Sequence, residues 1–154
     1  IDLVAGVWTI PSQRMKKRRE HSVPLSKQAI AILSEAKKLS VHSQFVFSSV
    51  RTPTRPMSEN TVNAALRRLG YTSEEMTAHG FRGTATTLLM ASGRWSREIV
   101  KKALSHKEGD ETWAAYERGD HWPQRVEMAQ WWSDYLDQLR KGADIVQFPE
   151  REAV

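Results

Sequence analysis

Four residues of this sequence have the types and the spacing needed to cut a phosphodiester bond with a tyrosine hydroxyl. They are His79 and Arg82 in the segment THGFRGT, then His106, and then Tyr116. A helix presents two residues three positions apart on one face. Thr77 is a candidate N-cap, which places the His79 and Arg82 pair in the first turn of a helix. The backbone N–H groups and the positive dipole end of that turn bind phosphate.

Each member of this set has a role in phosphodiester cleavage. The reaction needs an in-line nucleophile, cations on the non-bridging oxygens and an acid for the leaving 5′ oxygen. Tyr116 is the candidate nucleophile, and a phosphotyrosine would preserve the bond energy for rejoining. Arg82 is the candidate phosphate clamp because its guanidinium offers paired donors. His79 and His106 can donate to the phosphate or assist proton transfer, since imidazole titrates near neutral pH.

The remaining tyrosines and histidines receive structural interpretations. Tyr71 follows a helix-ending glycine and Tyr135 sits beside two tryptophans, so we expect both to be packing residues. His21 and His121 have no partner at metal-ligand spacing. The sequence contains no cysteine and no His-Glu-x-x-His motif. We therefore expect no disulfide and no metal site.

The charge is distributed unevenly along the 154 residues. The net charge is +5, but residues 1–70 carry 12 Lys and Arg against 4 Asp and Glu, whereas residues 71–154 carry 11 against 14. A basic half is typical of proteins that contact a polyanion, here DNA or RNA. Hydrophobic residues make up 40% of the chain, which is typical of a globular protein, and no apolar run reaches the length of a membrane span.

The hydrophobic periodicity predicts a mainly α-helical fold with a small antiparallel β-sheet (α+β). Residues 7–10 and 21–25 predict a β-hairpin whose connection, PSQRMKKRRE, is strongly basic. A lysine in this hairpin is a candidate acid for the leaving oxygen. A short strand is expected at 45–47, and helices are expected at 26–39, 58–70, 78–91, from Ser96 onward, at 111–117 and from about His121 to just before Gly142.

Two of these helices carry informative apolar patterns. In the third helix we expect a core stripe made of Phe81, Ala85, Leu88 and Leu89. The last helix has two stripes, of which one suffices for the core of the chain itself. The second stripe could pack against another protomer or against a further part of the protein. The members of the two stripes are Val126, Ala129, Trp132 and Leu136, and Met128, Trp131 and Tyr135.

The sequence resembles the catalytic domain of the tyrosine recombinases, and specifically the prophage integrases. The resemblance covers roughly residues 2–139, and the stretches that carry it are RMKKRREHSVPL, RPMSENTVNAALRRLGY, MTAHGFRGTATTLL and ALSHKEGDETWAAYERGDHWPQRVEMAQWWSDYLDQL. It implies that His79 and Arg82 form the His-x-x-Arg pair of the family. It also implies that His106 is the second histidine and that Tyr116 is the nucleophile.

The resemblance also assigns the hairpin. The catalytic lysine of the family falls on Lys16, with the adjacent Lys17 as the less favoured claimant. The other cations of the connection would touch DNA phosphates and add affinity that depends on salt but not on sequence. These DNA-binding candidates are Arg14, Lys17, Arg18 and Arg19.

What the resemblance implies for the whole protein is site-specific recombination of DNA. The fold would be that of the DNA breaking-rejoining enzymes, and the reaction would pass through a 3′-phosphotyrosyl intermediate without metal, nucleotide or other cofactor. The partner would be double-stranded DNA at attachment sites, with no membrane and no small-molecule substrate. We expect a tetramer in the synaptic complex, a monomer otherwise, and a bacterial cytoplasmic location at the nucleoid.

One departure from the family concerns an upstream arginine in an Arg-x-Gly-Glu-like segment, which nothing in this sequence matches. The separate N-terminal DNA-binding region of the family has no match either. We therefore expect an N-terminally truncated catalytic domain at 1–142 followed by a flexible tail at 143–154. Since an arginine aimed at developing phosphate charge contributes several kcal/mol to transition-state stabilisation, about 3–4 in typical cases, this fragment alone is expected to be inactive.

Two other classes of function compete with the recombinase hypothesis. A non-catalytic DNA-binding remnant of a degenerate prophage integrase would bind duplex DNA with steep salt dependence and form no covalent adduct. A helical interaction or regulatory domain would keep its DNA affinity when the basic cluster at 14–19 is neutralised.

Overall fold

The computed structural model describes residues 1–15, 18–104 and 121–142. Its elements are strands β1 (Val7–Ile10) and β2 (His21–Pro24), and helices α1 (Lys27–Leu39), α2 (Thr61–Arg68), α3 (Gly80–Ala91), α4 (Arg97–Ala103) and α5 (Trp122–Arg140). A mainly helical chain with a small antiparallel sheet is thereby confirmed. The helix expected at 111–117 and the tail from 143 lie outside the described residues. No helix in the described part is long and apolar enough to cross a membrane.

The chain divides into two compact units, and the division falls within α3. One unit consists of residues 1–26 together with 86–154, and the other of residues 27–85. The first unit contains the hairpin, the second half of α3, and helices α4 and α5. The second unit contains α1, α2 and the first turns of α3, with Arg82 in the first turn and His79 immediately before the helix.

The hairpin of the first unit is held by α5. Strands β1 and β2 pair antiparallel, with Trp8 opposite Val23 and Thr9 opposite Ser22. Arg125 of α5 is 1% exposed, and its Nη2 donates a hydrogen bond to the backbone oxygen of Ser22. Its guanidinium carbon lies 5.4 Å from the centroid of the Trp122 ring, a cation–π geometry. A buried cation with these partners fixes the strand against the helix.

Apolar side chains from three helices form the buried core of this unit. Leu89, Val100 and Met128 are at most 4% exposed. Helix α4 begins at Arg97, one residue after the expected start at Ser96, and Ser96 caps it, because its Oγ accepts a hydrogen bond of 3.3 Å from the N–H of Ile99. Helix α4, which carries Val100, contacts α5, which carries Met128. The buried core of this unit therefore includes the contact between these two helices.

The structure distinguishes the two apolar stripes of α5. Met128 is buried, and Trp131 stacks on Tyr135 at 5.4 Å with the guanidinium of Arg94 5.6 Å from the Trp131 ring centroid. In the other stripe, Val126 and Leu136 are 43% and 44% exposed. The stripe with Met128 therefore serves the core of this unit.

In the second unit the expected strand at 45–47 is wrong. The only pairing there is a single bridge between Ser48 and Pro56. Serine hydroxyls take the backbone groups that a strand would use. Ser43 Oγ accepts from the N–H of Phe45 at 3.0 Å, and Ser40 Oγ donates to the oxygen of Val46 at 2.9 Å. Such side-chain bonds compete with strand pairing.

Two further sequence expectations need correction in this unit. Helix α2 begins at Thr61, three residues after Ser58; the Ser58 hydroxyl instead accepts from the N–H of Asn60 at 3.4 Å. Phe81, expected in the core stripe of α3, is 51% exposed, whereas Ala85 of the same stripe is 9% exposed. A phenylalanine in the first turn of the helix extends past the buried part of the stripe.

Gly70 ends α2 as the sequence predicts. Its φ of +95° is a left-handed conformation, and the next N–H, that of Tyr71, donates to the oxygen of Leu66 at 3.1 Å. This arrangement satisfies a carbonyl at the C-terminus of the helix. A residue that has a Cβ is strained at such a φ.

Two glycine substitutions in the chain should therefore change stability in opposite directions. Gly70→Ala should lower the free energy of unfolding by about 1–2 kcal/mol because of left-handed strain. Gly83→Ala should raise it by up to about 1 kcal/mol, since Gly83 lies within α3 and an added Cβ meets nothing within 4 Å. Urea denaturation measures both. Equal effects of the two substitutions would contradict the assignment of strain to Gly70.

Candidate functional site

His79 and Arg82 lie at the start of α3, one helical turn apart. The N–H of Arg82 donates to the backbone oxygen of His79 at 3.1 Å, and the N–H of Gly83 donates to the same oxygen at 3.4 Å. The His79 side chain is exposed and Arg82 is half-buried. The structure thus brings these two predicted residues together at a helix N-terminus, where N–H groups and the dipole favour an anion.

Helix α3 begins at Gly80, two residues later than predicted, and the Thr77 hydroxyl bonds to its first residue. Thr77 Oγ1 accepts a hydrogen bond of 3.1 Å from the N–H of Gly80, and its backbone oxygen accepts from the same N–H at 2.9 Å. Gly80 itself leaves little room for a side chain, since a Cβ there would lie 3.0 Å from the Sδ of Met76. The chain is therefore closely packed immediately before the helix.

Two polar side chains of α2 bond to the segment that precedes His79. Asn63 Oδ1 accepts a hydrogen bond of 2.8 Å from the N–H of Ala78. Arg67 Nη2 donates to the backbone oxygen of Met76, and its Nε lies 3.4 Å from the backbone oxygen of Asn63. Neither residue is among the site residues predicted from the sequence. The signal that points to them is the four-residue spacing of two polar side chains on a short amphipathic helix, which puts them on one face.

The loop between α2 and α3 contains its own hydrogen-bonded turn. The N–H of Thr72 donates to Glu75 Oε2 at 2.7 Å, and the N–H of Glu75 donates back to Thr72 Oγ1 at 3.3 Å, as in a capping box. The bond from the Thr72 N–H, a side-chain bond with Thr72 and the nearby charge of Arg67 lower the pKa of Glu75 below its ordinary value.

The basic connection of the hairpin presents its described cations to solvent. Arg14 ends a single 3-10 turn, Ser12–Arg14. Arg18 has a φ of +50° and its N–H donates to the oxygen of Met15 at 3.0 Å. The side chains of Arg14, Arg18 and Arg19 are exposed. The other two predicted members of this cluster, Lys16 and Lys17, lie outside the described residues.

His106 and Tyr116 also lie outside the described residues. The segment 105–120 that contains them is bordered by the ends of α4 and α5, two helices that contact each other. His121 Nε2 lies 3.0 Å from Glu98 Oε1, which links the start of α5 to α4. This contact gives His121 a structural partner. That Lys16, His106 and Tyr116 join His79 and Arg82 in one site therefore stays a prediction.

The other expectations about single residues have different outcomes. Tyr135 packs against Trp131 and Trp132, with ring centroids 5.4 and 5.8 Å away, so its packing role is confirmed. Tyr71 is 50% exposed, and its expected packing role is wrong because its side chain extends from the turn after Gly70 into solvent. Within the ranges that the structure describes, no three His, Asp or Glu side chains cluster in a way that could hold a metal ion.

The titration of Glu75 should report directly on this loop. Its carboxyl pKa should fall below the ordinary value of 4.5, so the stabilisation it provides is complete above that value and is lost as the pH falls through the lowered pKa. Carbon NMR of the Glu75 carboxyl checks this. Glu75→Gln, which does not titrate, should remove the contribution of Glu75 to the pH dependence of stability. A midpoint at or above 4.5 would contradict the hydrogen-bonded turn.

Comparison with known proteins identifies the relatives of the chain. Residues 1–121 match the family model described as the phage integrase family. The chain is 41% identical over 155 residues to putative protein IntB of Escherichia coli K12, with 92% of this chain and 39% of the relative covered. It is 40% identical to the integrase of Enterobacteria phage P4, covering 90% and 35%, and 40% identical to prophage integrase IntA of E. coli K12, covering 95% and 35%.

The chain thus spans between about a third and two fifths of the length of these relatives. No solved structure matches it significantly. The family model covers more than three quarters of the chain, and it includes the hairpin, the His79 and Arg82 pair, and Tyr116. On this match, and on relatives named as integrases at about 40% identity, the chain belongs to the phage integrase family.

Proposed function

We propose that this chain is part of the catalytic domain of a tyrosine-type integrase, at residues 1–142, with the fold of the DNA breaking-rejoining enzymes. The protein would act on double-stranded DNA at attachment sites, as a tetramer in the synaptic complex, at the nucleoid of a bacterial cell. The observation that carries the proposal is the placement of His79 and Arg82 at the hydrogen-bonded N-terminus of α3 in a chain of this family. Exposed arginines on the hairpin support contact with DNA.

The proposed reaction exchanges one phosphate ester for another. The Tyr116 oxygen attacks the phosphorus while its hydroxyl proton passes to His79 or His106. The bond from phosphorus to the 5′ oxygen breaks, and that oxygen takes a proton from Lys16. The DNA 3′ end stays attached as a phosphotyrosine, and attack by another 5′ hydroxyl reverses the steps. Because the ester bond is exchanged rather than hydrolysed, no external energy source is needed.

The other members of the set act on the phosphate. Arg82 places paired N–H donors on the non-bridging oxygens. The first turn of α3 adds its dipole, which also favours negative charge. His79 and His106 donate to the same oxygens or assist proton transfer to and from Tyr116. Charge that grows on the phosphate in the transition state is thereby stabilised by groups already oriented toward it.

The test of the nucleophile measures covalent attachment of the full-length gene product that carries this chain to DNA. The substrate is a nicked duplex with the sequence found at the end of the DNA element that encodes the protein. We expect an adduct that survives denaturant and retains a 5′-labelled strand, because the tyrosine holds the 3′ phosphate. Tyr116→Phe should abolish this adduct, whereas Tyr71→Phe and Tyr135→Phe should preserve it. Trapping that persists in Tyr116→Phe would rule out Tyr116. Salt-dependent binding without any adduct would favour the DNA-binding remnant.

The hairpin arginines should contribute to DNA affinity through phosphate contacts. Replacing Arg18 and Arg19 with glutamine should reduce the slope of log affinity against log salt by about 2, since each phosphate contact contributes roughly 0.9. The same replacement of Arg140 and Lys141, two exposed cations at the end of α5, removes equal charge and should leave the slope unchanged. Fluorescence anisotropy with duplex DNA measures both. Equal slopes for the two pairs would contradict a DNA contact by the hairpin.

A further inference from the structure

The segment immediately before His79 is held at three consecutive residues. Met76 is bonded through its oxygen to Arg67, Thr77 caps the N–H of Gly80, and Ala78 donates its N–H to Asn63. His79 is the next residue, and its side chain is exposed. An exposed imidazole has little packing of its own to orient it. Its position therefore depends on the backbone from which it extends.

From this geometry we infer that Asn63 and Arg67 of α2 are positioning residues for the His79 and Arg82 turn. This inference rests on the proposed function for its catalytic consequence. The two side chains hold the backbone of residues 76–78, and through it they set the origin of the His79 side chain and the direction of the first turn of α3. Groups that act on a phosphate must hold their positions closely, and a displacement of about 1 Å can cost on the order of 100-fold in rate.

The Arg67 side chain also bonds to the backbone of its own helix. Arg67 Nε lies 3.4 Å from the backbone oxygen of Asn63, and its Nη1 is buried without a hydrogen-bond partner among the described residues. A guanidinium that is partly desolvated and bonded at two other nitrogens is committed to the protein interior rather than to DNA. Its neighbour Arg68 is exposed and offers a matched comparison of equal charge.

The chemistry of the Asn63 contact defines the variants. The amide oxygen accepts from the Ala78 N–H, so Asn63→Ala removes the acceptor and leaves that N–H without it. Asn63→Asp keeps an oxygen in the same place. Asn60 has no side-chain cap bond at the start of the same helix. Asn60→Ala therefore controls for the loss of an asparagine from α2.

The experiment measures three properties of the full-length gene product: the rate of covalent adduct formation on the nicked duplex, the affinity for that duplex, and hydrogen exchange of peptides covering residues 76–83. Asn63→Ala should slow the adduct step by roughly 10- to 100-fold with affinity within about twofold, and should accelerate exchange of these peptides. Asn63→Asp should restore the rate. Asn60→Ala should match the wild type in all three measurements.

The arginine arm separates positioning from charge. Arg67→Gln should lower the adduct rate with little change in affinity, whereas Arg68→Gln should leave the adduct rate unchanged. Wild-type rates and exchange in Asn63→Ala would overturn the inference, as would a rate loss fully accounted for by lost DNA affinity. A wild-type protein that forms no adduct would instead overturn the proposed function, and faster exchange in Asn63→Ala would then show a purely structural contact.

Discussion

The start of α3 has to satisfy two demands at once. Its first N–H groups have no partners within the helix, and the proposed chemistry needs the preceding His79 to be exposed. Thr77 meets part of the first demand by accepting from the N–H of Gly80, and Asn63 accepts from the N–H of Ala78 just upstream. Because these bonds come from side chains outside the helix, the turn is fixed while His79 remains exposed. The proposed chemistry depends on this arrangement.

A similar division between anchoring and presentation governs the hairpin. Arg125 is buried and bonded to Ser22, and the Ser133 hydroxyl donates to that of Ser26 at 2.7 Å. Strand β2 and the residue Ser26 that follows it are therefore tied to α5. The connection that precedes β2 exposes Arg14, Arg18 and Arg19 to solvent. A buried guanidinium serves the fold, whereas the exposed ones are available to a polyanion, and residue type alone does not distinguish these uses.

The elements that the sequence predicted well are those whose signals are local. Ser96 caps α4, Gly70 ends α2 at positive φ, and the alternating segments around the basic connection form the hairpin. The strand expected at 45–47 was wrong because Ser40 and Ser43 bond to its backbone instead. Such hydroxyl contacts depend on where the chain turns, and apolar patterning contains no information about them.

The sequence by itself determined the family, the His79 and Arg82 spacing and the basic connection, because these follow from residue identity and order. Only the tertiary structure decided which polar side chains hold the turn before His79. Asn63 and Arg67 lie 15 and 9 residues from the groups they bond, and sequence spacing does not specify contacts across a loop. It also decided that Met128 is the buried apolar residue of the two stripes of α5 while Val126 and Leu136 stay exposed, since both stripes are apolar and only packing removes a side chain from water.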